Sequence, residues 1–95
     1  MRLRKNQIEY FKKLALSIFN SKDIYLFGSR VDDNLKGGDI DIYIQTDKKD
    51  DILKSKIVFL REFEKEFGEQ KIDLLIDNKT THQEIFKIAK KGVKL

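Results

Sequence analysis

Two short segments of alternating apolar and polar residues constrain the fold of this chain more than any other feature. In DIDIYIQ (residues 39–45) isoleucine fills every second position, and KIDLLID (residues 71–77) repeats the pattern with Ile72, Leu74 and Ile76. Period-two alternation is typical of strands with one buried face, so both segments are predicted to be strands of one sheet. Each strand then carries aspartates on the face opposite its apolar residues.

Apolar residues at helical spacing predict three helices around these strands. Asn6 with Glu9 and Thr81 with Glu84 have the spacing of capping boxes, which mark helix starts, and Gly68 has the position of a C-terminal cap. The predicted helices cover residues 7–19, residues 50–67 and a segment from residue 81 to Gly92.

A third strand is predicted for the continuous apolar run from Ile24 to Phe27, which ends at Gly28. The glycine-rich residues 28–38 show no sustained period and are predicted to be loop. Strands alternating with helices indicate a mixed α+β (α/β) fold, a small β-sheet flanked by helices, and the sequence alone does not fix the strand directions. We expect residues 1–95 to form a single domain.

Composition excludes several classes of chemistry. The chain has no cysteine, so disulfides, thiolate metal sites and cysteine nucleophiles are excluded. No apolar run approaches the length of a membrane span, and we expect a cytoplasmic protein that does not contact membranes. The net charge of +4 suits a nucleotide, RNA or an acidic protein, although lysines scattered on helix faces are more often a solvated surface.

Three aspartates on the predicted strands are the strongest candidates for a functional site. Asp39 and Asp41 share one face of a strand, and sheet pairing could bring Asp73 of the later strand beside them. Oxygen ligands of high charge density suit Mg²⁺, which completes its coordination with water and substrate phosphates. The alternative is a solvent-exposed strand face that tolerates acids, and for Asp73 taken alone that alternative is slightly favoured.

A glycine-serine turn precedes the acidic strand. Gly28 and Ser29 directly follow the buried strand, where glycine allows close backbone approach and the serine hydroxyl can donate to phosphate oxygens. Gly-Ser pairs are more often ordinary turns, so only the position of this one, a strand before the acid pair, favours phosphate binding.

The whole arrangement resembles the nucleotidyltransferase superfamily of the DNA polymerase beta type, and specifically the minimal nucleotidyltransferases. The resemblance rests on Gly28-Ser29, nine intervening residues, Asp39-Ile40-Asp41 and then Asp73 in a later apolar strand. It implies that Asp39, Asp41 and Asp73 are catalytic and bind the metal, and that Gly28, Ser29 and Arg30 contact the phosphates. The family often has ten intervening residues and a serine before the first aspartate, where this chain has nine and Gly38.

The resemblance also implies an activity and a partner. Small family members resemble antitoxins encoded beside a HEPN-domain RNase toxin, which they bind and modify on tyrosine. We therefore expect Mg²⁺-dependent transfer of AMP from ATP to a hydroxyl group of such a toxin, with a tyrosine hydroxyl as the first candidate. Asp73 is expected to take or direct the hydroxyl proton as pyrophosphate leaves. The alternatives are a non-catalytic antitoxin that neutralises its partner by complex formation and, well behind, an RNA-binding domain.

Other residues are secondary candidates. Tyr43 shares the acidic face of its strand and is the tyrosine best placed to stack on a nucleotide base, although aromatic residues in such patterns are more often core. Asp77 is interpreted as a turn residue. The lysines near the C-terminus are interpreted as a solvent-exposed surface and as candidates for partner contact; they are Lys87, Lys90, Lys91 and Lys94.

Overall fold

The protein forms a four-stranded sheet with three helices in a computed structural model that describes residues 3–28, 38–80 and 83–95. Helices and strands alternate along much of the chain, as the sequence pattern predicts. In chain order the elements are α1 (Lys5–Phe19), β1 (Asp23–Phe27), β2 (Ile40–Gln45), α2 (Ile52–Phe67), β3 (Ile72–Asp77), α3 (Glu84–Lys90) and β4 (Val93–Lys94).

The sheet has the order β3-β2-β1-β4 and mixed strand directions. β1 runs antiparallel to both β2 and β4, whereas β2 and β3 run parallel. The parallel pair requires a crossover, which α2 provides by carrying the chain back along the sheet. The mixed α+β fold predicted from the sequence is confirmed.

The two faces of the sheet are buried in different ways. Residues such as Ile42 and Leu74 join the main core with α1 and α2, where Phe11 stacks on Phe63 with ring centroids 4.3 Å apart. The opposite face is covered in part by α3, through a smaller cluster of Tyr43, Phe86 and Ala89. Because strand side chains alternate, the aspartates of β2 and β3 lie on this second, less covered face.

Several sequence predictions about element ends are corrected by the structure. The Asn6–Glu9 capping box is wrong, because α1 begins at Lys5 and the Arg4 amide donates to Oε1 of Gln7 at 3.0 Å. Gly68 does cap α2, with a positive φ of 86°. The sequence pattern does not predict β4, and Thr81 of the other proposed capping box lies outside the described residues. Among the described helices, none is both long and apolar enough to cross a bilayer.

Candidate active site

Two aspartates meet where the parallel strands begin. Asp41 of β2 pairs with Asp73 of β3 in the sheet register, and the charge of Asp73 acts on the Asp41 carboxyl group. Parallel pairing without a register shift places both side chains on the same face, so the alternation in the two segments accounts for their meeting. We call Asp41 and Asp73 the acid pair.

Gly28 lies directly against this acid pair. It follows β1 with φ of 78°, a left-handed conformation that glycine adopts without strain. A Cβ atom built on Gly28 would lie only 2.1 Å from Oδ2 of Asp41. Any larger residue would therefore have to displace the Asp41 carboxylate, which shows that the turn after β1 and the acid pair form one site.

Asp39 lies one step before β2 and is held by the segment that leads into β3. Its Oδ2 is 3.5 Å from Nζ of Lys71, and its charge acts on Asp41. The Gln70 side-chain amide donates to the Gly38 carbonyl at 2.6 Å, which ties the start of one strand to the approach of the other. Three aspartates thus lie at one end of the parallel pair, with Lys71 as a nearby cation.

The electrostatics of the acid pair favour a bound cation. Burial raises the pKa of the Asp41 carboxyl, and the hydrogen bond to Asp73, the charge of Asp73 and the charge of Asp39 raise it further, against a lowering effect of Lys71. A positive charge placed between the carboxylates would reverse this repulsion. The donors are oxygen atoms only, which suits Mg²⁺ rather than zinc.

The structure does not assemble a complete metal cage from the protein alone. The described residues contain no group of three or more acidic, histidine or cysteine side chains arranged to hold a metal ion. Mg²⁺ is commonly bound through only one or two carboxylates, with substrate phosphates and water supplying the rest. An acid pair beside a glycine turn therefore fits such an ion when the nucleotide arrives with it.

The remaining predicted site residues have different outcomes. Ser29 and Arg30 lie outside the described residues, so their expected phosphate contacts stay predictions. Tyr43 is only 1% exposed, packs against Phe86 and donates a hydrogen bond to Oδ2 of Asp77 at 2.6 Å. The interpretation of Tyr43 as a core residue is confirmed, and base stacking is not available to it because the ring is buried under α3.

Asp77 is likewise more than a turn residue, since it is the last residue of β3 and accepts the Tyr43 hydroxyl. Sequence reasoning also misses Gln70 and Lys71 as neighbours of the site. The alternation assigns Lys71 only to the polar face of its strand, yet it lies against Asp39. The signal that could have found it is the shared register of the two alternating segments, in which residue 71 approaches residue 39 if residue 73 pairs with residue 41.

Together, a mixed sheet, an acid pair at the start of two parallel strands and a glycine turn packed on it define a domain suited to phosphate chemistry. The chain belongs to the polymerase beta nucleotidyltransferase family, whose sequence model matches residues 6–95. Family membership identifies the chain as a nucleotidyltransferase domain. No curated protein gives a significant match to the sequence.

Proposed function

We propose that this domain transfers AMP from ATP to a hydroxyl group of a partner protein, and that the partner is a HEPN-type toxin modified on tyrosine. In this proposal the domain is an antitoxin of the minimal nucleotidyltransferase kind, resembling type VII systems. The observation that carries it is the acid pair, in which Asp41 and Asp73 are register partners on adjacent parallel strands beside Gly28.

The site residues divide into two groups in this reaction. Asp39, Asp41 and Asp73 would hold Mg²⁺, which supplies charge neutralisation for the triphosphate and lowers the pKa of an acceptor hydroxyl. Gly28 lets the Asp41 carboxylate lie against the backbone of the turn, and the proposed phosphate contacts are Gly28, Ser29 and Arg30. Asp73 is exposed and would accept or direct the proton of the attacking hydroxyl as pyrophosphate leaves the α-phosphorus.

Neutralisation by complex formation alone is the second candidate function. Its support is the outer surface of α3, where Ile88 is 62% exposed between the exposed lysines Lys87 and Lys91. An exposed apolar residue among cations suits an acidic protein partner. Such a surface would bind whether or not nucleotide transfer takes place.

One experiment separates the two functions. The protein, Mg²⁺ and ATP labelled at the α-phosphate are incubated with the toxin encoded beside it, and labelled toxin is measured for the wild type, Asp41→Asn and Asp73→Asn. Catalysis predicts a loss of transfer of about a hundredfold or more in both variants, because each removes a charge of the acid pair. Asp50→Asn, an exposed aspartate before α2, is the matched control and should keep full transfer.

The same experiment can also reject the catalytic proposal. Neutralisation of the toxin by both variants, with no label transferred even by the wild type, would reject the catalytic proposal and support complex formation. Label found on a nucleic acid or a small molecule instead of the toxin would reject the protein acceptor while keeping the nucleotidyltransferase.

A further inference from the structure

β3 is an open edge of the sheet. In the described part of the chain its one neighbour is β2, whereas the strand at the opposite edge, β4, has only two residues. The Ile40 amide donates to the Lys71 carbonyl and the Thr46 amide donates to the Asp77 carbonyl, each at 3.0 Å. The backbone groups of odd-numbered residues in this segment therefore point towards β2.

The even-numbered residues of β3 point their backbone groups the other way. Successive carbonyl groups of a strand alternate in direction, so Ile72, Leu74 and Ile76 present their N–H and C=O groups at the outer edge. These three residues also carry the apolar side chains of the strand, which pack on the main core. A long exposed edge of this kind is a template for pairing with another strand.

We propose that two copies of this chain associate through their β3 strands, in antiparallel pairing about a two-fold axis at Leu74. In this register the outward-facing residues oppose one another, Leu74 with Leu74 of the other copy and Ile72 with Ile76. The two sheets become one continuous sheet, joined by about six backbone hydrogen bonds, because each of three opposed pairs exchanges two. This proposal is independent of the nucleotidyl transfer proposed above.

The charges of the strand select this register. With Leu74 on the axis, Lys71 of each copy lies directly opposite Asp77 of the other, which makes two cross-strand ion pairs, and Asp73 lies opposite Leu75. A shift of two residues in one direction would put Asp73 opposite Asp73 of the other copy. A shift in the other direction would put it opposite Asp77, so both alternatives place like charges together.

The described residues around β3 leave room for this pairing. α3 packs on β1 and β2, and the face of β3 that bears Asp73 and Asp77 is only partly covered. Lys71 is 73% exposed at its side chain, and its contact with Asp39 is 3.5 Å long. Its ammonium group has three donors, so it can keep that contact and reach Asp77 of the other copy.

Charge reversal tests the register directly by sedimentation velocity over a range of protein concentrations. The wild type should form a dimer, and Lys71→Asp or Asp77→Lys should each weaken dimerisation about tenfold or more, because each turns two attractive pairs into repulsive ones. Mixing the two variants should restore dimers, since the new aspartate of one chain then lies opposite the new lysine of the other.

The control variant is Lys12→Glu, which makes a charge reversal on α1 beside Lys94 and Leu95, at the β4 side of the sheet. It should leave the dimerisation constant unchanged. Circular dichroism melts of every variant confirm that a loss of dimer is not a loss of fold. For Asp77, whose carboxylate accepts the Tyr43 hydroxyl, Asp77→Asn keeps an acceptor and should give a smaller effect in the same direction.

Hydrogen exchange provides a test that needs no variant. The amides of Leu74 and Ile76 should exchange more slowly as the wild-type concentration rises through the dimerisation range, while exposed amides of α1 should not change. A wild type that stays monomeric at about millimolar concentration, at which even weak association is seen, would overturn the proposal. A dimer that forms equally well with either charge reversal, or variants that do not pair when mixed, would overturn it too.

Discussion

Gly28 shows at the scale of one residue how the chain combines backbone and side-chain requirements. Its positive φ alone would favour glycine, and its position against Oδ2 of Asp41 forbids a side chain independently. Either reason alone would make a larger residue unfavourable at this position, and together they restrict the position to glycine. The glycine that follows β1 therefore has a structural cause in the acid pair beside it.

Gly28→Ala should destabilise the protein by about 2 kcal/mol and abolish most nucleotide transfer, since the new Cβ must displace the Asp41 carboxylate and adopt a strained φ. Urea unfolding and the labelled-toxin assay measure the two effects. Gly38→Ala is the matched control, because among the described residues no atom apart from those of its chain neighbours lies within 4 Å of a Cβ at that position. Equal effects of the two substitutions would show that contact with Asp41 is not the cause.

At the scale of the elements, much of the architecture can be predicted because each long element has its own period. Alternation predicts the strands of Asp41 and Asp73, and their contact follows once both are assigned to one sheet. The parallel direction of that pair cannot be predicted, since alternation is the same for both directions. β4 is missed because two residues, Val93 and Lys94, are too few to show any period.

The parts of the site that the sequence does not predict depend on pairs distant in the chain. Lys71 reaches Asp39 and the Gln70 side chain reaches Gly38, and no local pattern reports either contact. Core packing of Tyr43 is the interpretation that the sequence favours, but the sequence does not show that α3, near the C-terminal end of the chain, covers it. Local periodicity assigns the face of the sheet correctly but not what lies on it.

The hydrogen bond from Tyr43 to Asp77 joins the middle of β2 to the last residue of β3. Tyr43→Phe should lower the free energy of unfolding by about 1 kcal/mol, because a partly buried hydrogen bond to a carboxylate is lost while the ring still packs on Phe86. Urea unfolding measures the change. Tyr25→Phe, which removes a hydroxyl from the same aromatic cluster without removing that bond, should have a smaller effect, and the reverse order would contradict this explanation.

At the scale of the whole molecule, a chain with net charge +4 gathers negative charge at one end of its sheet. Burial of Asp41 and this local excess raise the pKa of its carboxyl group and lower stability, since Asp41 gives up its proton less readily in the folded state than in the unfolded chain. The molecule therefore gives up some folding free energy at the site where a cation and an anionic nucleotide would bind together.

The pH dependence of unfolding tests this cost. Because burial and Asp73 raise the pKa of Asp41 above its ordinary 3.8, the folded state binds more protons there, and stability falls as pH rises through the folded pKa. Asp41→Asn should therefore be more stable than the wild type near neutral pH, by a few tenths to about 1 kcal/mol, and the difference should vanish in acid. Urea unfolding at several pH values measures it. An Asp41→Asn variant that is less stable than the wild type at every pH would show that the carboxylate contributes a favourable contact rather than a repulsion.

Magnesium provides the complementary measurement. Mg²⁺ with a non-hydrolysable ATP analogue should raise the melting temperature of the wild type and not that of Asp41→Asn, because this variant lacks one carboxylate of the acid pair. Asp50→Asn is the control and should respond like the wild type. An equal rise in all three proteins would place the nucleotide somewhere other than the acid pair.

The parallel pairing of β2 with β3 also bears on how the site comes into being. Asp41 and Asp73 belong to opposite ends of the crossover that contains α2, so they meet only after that loop has closed over the sheet. A nascent chain whose β3 has not yet been synthesised has no acid pair, so it cannot transfer a nucleotide. Closure brings two anions together, so a divalent ion bound between them would stabilise the closed crossover.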